Sequence, residues 1–332
     1  MNPTHKSVTP ARLLVMLSFL ALGSLVLALC SGSGQAGFLD LLSLPGDSMD
    51  PATRDVLLKL RLPRALAAFG TGAALALAGV MMQVLLRNPL ADPYILGSSG
   101  GAAVAALSAM LAGGGTLLVD ASAFGGALGS TLLVFLIARY HGNWTPGRLL
   151  LTGVVMAAGW SAVISLLLAM APAASLRGIL FWLMGDFSFA GNFMPSLIAA
   201  AFALGIGFTL ARSFNILATG DQQAALLGLR VRPIRLCVYL LSALLTAVAV
   251  TTAGTVGFVG LVIPHLVRLV SGRDHRSLLP GAALAGGSLL VIADTVARTI
   301  VAPRQLPVGA ITAVIGVPIF LFLLGRTTTS KD

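Results

Sequence analysis

The sequence contains no glutamate, and only three of its 21 basic residues are lysine. A phosphate-binding Walker A loop needs a Gly-Lys pair, so that backbone amides and the lysine ammonium can hold the phosphates. None of Lys6, Lys59 and Lys331 follows a glycine. The absence of this pair excludes an ATPase site of the Walker type within the chain.

Histidine and cysteine are almost as scarce. The four histidines show no paired metal spacing such as H-x-x-x-H, and no glutamate is present to assist a hydrolytic metal. We therefore expect neither a metal site nor catalytic residues. Cys30 and Cys237 both lie in apolar segments, where a single cysteine behaves as a small hydrophobic residue, so no disulfide framework is implied.

Charged residues of any kind make up only 10% of the chain, against about 25% in ordinary soluble domains, while 57% of the residues are hydrophobic. Lipid is therefore the solvent for most of the chain. A spanning helix needs roughly 20 apolar residues, so 332 residues with short connectors accommodate about ten spans. These properties predict an all-α, polytopic membrane protein with a single transmembrane domain over residues 1–332.

Apolar runs punctuated by proline, glycine and arginine mark the expected spans. They lie at about 12–32, 64–86, 94–112, 118–139, 148–170, 192–211, 233–254, 258–271, 278–301 and 307–325. A shorter amphipathic piece at 176–184 is expected between the fifth and sixth spans.

The net charge of +10 is spread over short connectors and forms neither a basic face nor a basic tail, which argues against nucleic acid as a partner. Fourteen of the 21 basic residues fall on the side of the N-terminus. The positive-inside rule then predicts a multi-pass protein with both termini in the cytoplasm. On this topology the segment 1–11, the connector 213–232 and the tail 326–332 are cytoplasmic.

Small residues are dense within the spans. Gly97 with Gly101, and Gly125 with Gly129, have the four-residue spacing that lets helix backbones approach closely. We expect both pairs to lie at helix–helix contacts.

Three arginines lie on the opposite side of the membrane, against the positive-inside trend. Arg61 and Arg64 precede a long apolar run, and Arg298 ends the ninth span, where Asp294 lies four residues earlier on the same helical face and can pair with it. Charges at the bilayer centre are costly, so the three arginines belong at the interface. Two interpretations stay open, which are interfacial anchoring by snorkelling and docking of a soluble acidic partner.

The longest cytoplasmic connector, FNILATGDQQAALLGLRVRPIR, follows the sixth span. It contains a short helix-forming stretch flanked by Gly220 and Gly228 and followed by Arg230, Arg232 and Arg235. A compact helix here could insert into a groove on another protein, or it could lie as an amphipathic loop at the membrane interface.

Several stretches together resemble the FecCD-type permeases of the iron-siderophore, haem and cobalamin importers, a family of type II ABC importers. They are RLPR at 61–64, RNPLADPYILGSSGGAA at 87–103, GDQQAALLGL at 220–229, GFVGLVIPHLVRL at 257–269, DHRSLLPGAALAGG at 274–287 and ADTVAR at 293–298. They occur in the family's order across nearly the whole chain, from about residue 55 to residue 325.

The resemblance implies the type II ABC importer permease fold, with ten transmembrane helices per subunit. It also implies two permease subunits around one pathway, here expected as a homodimer, and a periplasmic substrate-binding protein. Two separate cytoplasmic ABC ATPases would use ATP and Mg²⁺. No cofactor is expected on this chain itself, which membrane lipid surrounds.

The resemblance further assigns roles to individual residues. Docking of the binding protein is expected at Arg61, Arg64 and Arg298. Coupling to the ATPase is expected at Gly220, Asp221, Ala224, Leu226 and Gly228.

Two cytoplasmic gate loops are implied in the same way. One contains Asn88 and Leu90, and the other, within NWTPGRLLLTG, contains Thr145 and Pro146. Pro146 departs from the small hydroxyl residues of the family pattern.

The implied function is ATP-driven import of an iron chelate, either haem or a ferric siderophore, with cobalamin as the alternative within the family. An ion-coupled secondary transporter would need intramembrane ionisable residues, for which only Asp294 and Arg298 qualify, both near a helix end. An intramembrane enzyme would need a catalytic constellation that the sequence does not contain.

Overall fold

The computed structural model describes residues 9–32, 50–140, 145–188, 190 and 192–328, with side chains up to Phe322. Residues 1–8 of the expected N-terminal segment and residues 329–332 of the expected tail lie outside this range. Within the described ranges the regular secondary structure is helical throughout.

The helices are numbered here in chain order. They are α1 Pro10–Cys30, α2 Pro51–Leu86, α3 Ser98–Leu111, α4 Thr116–Arg139, α5 Pro146–Met170, α6 Ala173–Met184, α7 Met194–Thr209, α8 Ala211–Leu217, α9 Asp221–Leu226, α10 Val231–Ala253, α11 Val259–Ser271, α12 His275–Thr299 and α13 Val308–Thr328. A short 3-10 turn, Pro93–Leu96, precedes α3.

Each of the ten expected spans corresponds to a helix or a helix pair. Within the described ranges, six helices, α1, α2, α4, α5, α10 and α12, are long and apolar enough to cross a membrane, and α7 with α8, joined at a 69° bend, is a seventh if the pair forms one span. The shorter apolar helices α3, α11 and α13 lie at the remaining three expected spans. The short α6 occupies the place of the amphipathic piece expected between spans. The all-α polytopic fold with about ten spans is therefore confirmed.

The second span begins earlier than the sequence indicates. Its expected start was residue 64, whereas α2 begins at Pro51, directly after Asp50, whose Oδ2 accepts a hydrogen bond from Thr53 N at 3.1 Å. An aspartate cap followed by proline is a strong helix start, and it outweighs the charged residues that follow. Arg61 and Arg64 consequently lie within the helix instead of ahead of it. The π-helical stretch Val56–Arg61 lies just before Pro63, which cannot donate a backbone hydrogen bond.

Helix α2 is the centre of the bundle, because nearly every residue from Ala65 to Leu86 is buried. Glycines set how closely its neighbours approach. A Cβ atom built on Gly72 would overlap the carbonyl oxygen of Gly286 in α12, and one built on Gly79 would overlap that of Gly260 in α11. These contacts between backbones are the type of packing that stabilises helices in lipid.

Only one of the two glycine pairs predicted from spacing lies at a helix contact. A Cβ atom on Gly101 would lie 2.5 Å from the carbonyl oxygen of Gly126 in α4. Gly125 and Gly129, in contrast, have no neighbouring atom within 4 Å, so their expected contact within the chain is wrong. Gly126, one residue further along α4, faces α3 instead.

Helix α5 is largely exposed at the surface of the bundle. Only Leu149 and Gly153 of its 25 residues are buried within the chain. Apolar residues around the rest of its circumference are exposed, among them Leu151, Val155 and Leu166. A helix of this kind is covered by lipid or by a second protein surface.

Candidate functional site

The residues assigned from the sequence fall at two opposite ends of the bundle. Arg64 lies near the start of the long apolar part of α2, and Arg87 directly follows its end. A helical rise of about 1.5 Å per residue separates the two by roughly 35 Å along the axis. The arginine end is defined here by Arg61, Arg64 and Arg298, and the connector end by residues 211–230.

Asp294 is the centre of an ion cluster at the arginine end. Arg64 contacts it with two nitrogens, Nη2 to Oδ1 at 2.8 Å and Nε to Oδ2 at 3.0 Å. Arg298 Nε lies 3.1 Å from Oδ2 of the same carboxylate, which confirms the pairing expected from their spacing. Asp186 adds a second carboxylate, 3.6 Å from Arg64 Nη2. Guanidinium groups in this geometry balance the charge of a buried carboxylate.

Arg61 and Arg298 also bind the last turn of α1. Arg61 Nη1 donates a hydrogen bond to Leu29 O at 2.7 Å, and Arg298 Nη2 donates to Ala28 O at 3.4 Å. A Cβ atom on Gly32 would lie 2.8 Å from Arg61 Nη2, so glycine leaves room for the guanidinium. Carbonyls in the last turn of a helix lack partners within the helix, and cations are favoured there. The two arginines therefore connect α1 to α2 and α12.

These contacts leave the arginines largely covered. Arg61 is 6% exposed, and the side chains of Arg64 and Arg298 are 14% and 11% exposed. Arg64 Nη1 also donates to Gln305 Oε1 at 3.2 Å and to Ser188 Oγ at 3.4 Å. Sequence reasoning missed both residues, because they lie more than a hundred positions from Arg64 and no local spacing signals the contact.

Two glycines shape the connector end. Gly220 and Gly228 have φ angles of 114° and 80°, which side-chain-bearing residues rarely adopt, and they bracket the short helix α9. The backbone turns again after the helix, where Leu229 N donates to Ala224 O at 3.0 Å. Ala224 is fully buried. The predicted compact helix is thus present with its expected flanking glycines.

Asp221 joins this helix to two other elements. Its Oδ2 lies 2.8 Å from Nη2 of Arg87, which follows α2, and 3.0 Å from Nη1 of Arg235 in α10. Arg87 reaches it from a left-handed backbone conformation with φ 49°. Asp221 therefore connects α9 to the end of α2 and to α10.

The same helix presents apolar side chains to its surroundings. Leu226 is 87% exposed, and the adjacent Leu227 is exposed as well. They lie at the polar end of the bundle, next to Asp221 and Arg230. Two adjacent exposed leucines beside charges are typical of a docking surface for another protein.

The first expected gate loop is a tight turn held by its own side chains. Asn88 Oδ1 accepts a hydrogen bond from Leu90 N at 2.9 Å, and Asp92 Oδ1 accepts one from Tyr94 N at 2.7 Å. Burial raises the pKa of Asp92 to about 6. The turn connects the end of α2 to the start of α3.

The second expected gate loop is the start of α5. Thr145 Oγ1 accepts from Arg148 N at 3.4 Å, and Pro146 is the first residue of the helix. A hydroxyl cap followed by proline is a favourable helix start, which accounts for a proline at this position. Two turns further along, Gly153 packs against the carbonyl of Ile95, so α5 contacts the 3-10 turn that follows the first gate loop.

Comparison with known proteins identifies the family. The model of the FecCD transport family matches residues 19–326. The chain belongs to the FecCD transport family. It is 42% identical over 328 residues to the hemin transport system permease protein HmuU of Yersinia pestis, covering 96% of this chain and 97% of HmuU. It is 40% identical over 317 residues to the vitamin B12 import system permease protein BtuC of Escherichia coli O127:H6, covering 94% of each chain.

Solved structures agree with this assignment. A structure described as an inward-facing conformation of a metal-chelate type ABC transporter superposes with a TM-score of 0.83 at 33% identity, covering 95% of this chain and 99% of the other. PsaBC from Streptococcus pneumoniae, at 18% identity and a TM-score of 0.57, covers 81% of this chain and 92% of its own, and shares the fold.

This member of the FecCD transport family is a multi-pass membrane protein and a permease subunit of an ABC importer. Subunits of this kind are transport components and not enzymes. The assignment distinguishes the chain from ion-coupled transporters and intramembrane enzymes.

Proposed function

We propose that this permease moves an iron chelate, haem in the first instance, from the periplasm to the cytoplasm through the bacterial inner membrane. The observation that carries the proposal is the 42% identity to a hemin permease along almost the full length of both chains. The likeness to a metal-chelate type transporter, at a TM-score of 0.83, supports the same substrate class. Ferric siderophores belong to that class as well.

Cobalamin is the second candidate substrate. BtuC, named for vitamin B12 import, is 40% identical over 94% of each chain, only two percentage points below HmuU. Haem and cobalamin are both large ring chelates with polar edges. A pathway lined with small apolar residues would accommodate either of them without a dedicated ligand.

The connector end is proposed to face the cytoplasm, with both chain termini on that side. Two separate ABC ATPases would bind there, using ATP and Mg²⁺. The exposed Leu226 and the glycine-bracketed helix α9 support a groove-inserting contact. Asp221 supports transmission of movement, because it pairs with residues at the end of α2 and in α10.

The arginine end is proposed to face the periplasm and to receive the substrate-binding protein. Its three arginines and the carboxylates of Asp186 and Asp294 leave one net positive charge, which attracts an acidic surface. An incoming carboxylate would approach Arg64 and Arg298, whose side chains are 14% and 11% exposed. Arg61 would act mainly by holding α1 in place.

A second copy of the chain is the proposed partner for α5. This helix has almost no buried residues within its own subunit and is apolar along its length. Two such helices facing each other would enclose a central pathway. The gate residues Asn88, Leu90, Thr145 and Pro146 would narrow that pathway at the connector end, where α5 begins.

The experiment that tests the substrate is uptake into proteoliposomes. The permease is reconstituted with its cognate ATPase and binding protein. Uptake of haemin, a ferric siderophore and cyanocobalamin is then measured in two parallel samples, one with ATP inside the vesicles and one with ATP outside them. We expect ATP-dependent uptake of haemin that excess cyanocobalamin does not inhibit. Uptake of cyanocobalamin alone would contradict the proposal and favour the second candidate.

A further inference from the structure

A cavity of about 550 Å³ lies at the connector end, where Pro89 of the first gate loop forms part of its wall. Cationic and imidazole side chains dominate its polar lining, contributed by the end of α2, by α11 and by the turn between α11 and α12. These residues are Arg87, His265, Arg268, Arg273 and His275. Gln83 of α2 lines the cavity as well.

Two of the guanidinium groups are uncompensated. Within the described residues, neither Arg268 nor Arg273 forms an ion pair, whereas Arg87 already pairs with Asp221. Arg268 lies close enough to Arg273, His265 and His275 to interact electrostatically with all three. Like charges held around one cavity repel each other, so an anion placed among them is favoured.

Asp274 carries the carboxylate next to His275 in the chain, and the two side chains interact electrostatically. Asp274 accepts hydrogen bonds from Asn215 Nδ2 at 2.9 Å and from Arg276 N at 3.0 Å. These bonds lower the pKa of Asp274, and they direct its carboxylate to its own turn at the start of α12. It caps that helix and does not line the cavity.

Two deeply buried side chains of the lining keep an acceptor atom without a partner. His275 is 3% exposed, and its Nδ1 lies 2.6 Å from Asn215 Oδ1. Because the amide nitrogen of Asn215 donates to Asp274, its oxygen faces the imidazole, so Nδ1 carries the proton and Nε2 of the neutral ring is an acceptor. Gln83, 4% exposed, donates to Leu261 O and leaves Oε1 unpartnered. Buried acceptors of this kind favour a ligand that brings a donor.

We propose that this cavity binds a phosphate-class oxyanion that keeps one hydroxyl, with hydrogen phosphate or a phosphate monoester as its simplest forms. The charged oxygens bind Arg268 and Arg273, and the hydroxyl donates to His275 Nε2 or Gln83 Oε1 after a side-chain movement that opens the covered acceptor atom to the cavity. Arg87 borders both the cavity and Asp221, so the bound anion lies next to the connector that is proposed to couple to the ATPase. The phosphate group can come from a free anion or from a lipid headgroup.

The test compares two tetrahedral dianions on the full-length permease in phosphatidylcholine nanodiscs, by isothermal titration calorimetry near pH 8. Hydrogen phosphate carries a hydroxyl, whereas sulfate does not. We expect phosphate to bind about tenfold more tightly than sulfate, which corresponds to one additional hydrogen bond with a buried acceptor. Equal affinity for the two anions would overturn the role of the hydroxyl.

Variants locate the site. The double variant Arg268→Gln/Arg273→Gln should weaken phosphate binding by about a hundredfold, since each charged hydrogen bond contributes about tenfold. Arg276→Gln, an exposed arginine on the same turn that does not line the cavity, should bind phosphate as the parent does. Unchanged binding by a double variant with a parent-like melting temperature would overturn the proposal.

A second arm identifies the source of the phosphate. Nanodiscs that contain phosphatidic acid and no free phosphate are titrated in the same way. Loss of phosphate binding there assigns the site to a lipid headgroup, and unchanged binding assigns it to a free anion. If phosphate does not bind the parent, while the double variant loses affinity for the ATPase, the cavity instead receives an acidic protein segment and the proposal is wrong.

Discussion

Asp294 binds two arginines on one carboxylate, and that carboxylate is almost inaccessible to solvent. A buried ion pair contributes little when complete, but it is strongly destabilising when one partner is removed, because the other charge stays buried. The cluster is therefore a structural requirement of the arginine end, whatever docks there.

Replacing Asp294 with asparagine should lower the free energy of unfolding by about 3 to 5 kcal/mol, since Arg64 and Arg298 would lose their shared carboxylate. Thermal unfolding of the purified permease measures the effect. The matched control is Asp55→Asn, which breaks the exposed pair of Asp55 with Lys59 and should change stability by less than about 1 kcal/mol. Equal effects of the two substitutions would show that the Asp294 cluster is not buried in solution.

Docking at the arginine end gives a second prediction at this scale. Arg64→Gln should weaken association with the binding protein by about tenfold, because it removes a partly exposed guanidinium that faces the incoming acid. The control is Arg304→Gln. It removes an exposed arginine that is close to the cluster in sequence but is not part of it. Surface plasmon resonance with the permease in nanodiscs measures the affinity of both variants for the binding protein. An equal loss of affinity in the control would show that Arg64 contributes only through the overall positive charge of this end.

The sequence indicated only part of this cluster. The spacing of Asp294 and Arg298 on one helical face predicted their pair, and the structure confirms it. Arg64 and Asp294 are 230 positions apart, and hydropathy carries no information on which helix ends meet. The tie between Arg61 and the end of α1 was hidden for the same reason, so the sequence predicted one pair of the cluster and not its other partners.

At the scale of elements, glycine decides which helices touch. Gly79 of α2 allows the backbone of α11 to approach so closely that a methyl group has no space. Spacing in the sequence flagged glycines in α3 and α4, yet it could not distinguish a packed glycine from an open one. The 69° bend between α7 and α8 was also not foreseen, because the apolar run continues almost to the bend.

Gly79→Ala should lower the free energy of unfolding by about 1 to 3 kcal/mol or prevent assembly, since overpacking forces α2 and α11 apart. The control is Gly129→Ala in α4, where no atom of the chain lies within 4 Å. Fluorescence-detected size-exclusion after heating compares the two. A melting temperature for Gly79→Ala equal to that of the parent would contradict the close contact.

The connector gives a further prediction at this scale. Asp221→Asn should reduce uptake by at least about tenfold while ATP hydrolysis by the assembled complex persists, because α9 loses both ties that pass its movement to α2 and α10. Arg235→Gln removes one tie only and should have a smaller effect. Parallel loss of hydrolysis and uptake would indicate failed assembly instead of failed coupling.

At the scale of the whole molecule, the chain is a set of membrane helices. Its sequence contains no Gly-Lys pair of the kind that a Walker A nucleotide site needs. The hydropathy pattern was sufficient to predict this architecture, since lipid permits few alternatives to spanning helices. The family match over residues 19–326 then assigns it to the importer permeases. Substrate identity does not follow from either, because the pathway of such a permease needs no tight binding site.

We propose that this permease depends on an external ATPase that acts through α9. The most direct measurement is substrate uptake into proteoliposomes that contain the permease alone, the permease with its ATPase, or the permease with an ATPase unable to hydrolyse ATP. Uptake is predicted only for the active ATPase with ATP present, and an imposed proton gradient should not replace ATP. Sustained uptake by the permease alone, driven by that gradient, would contradict the account.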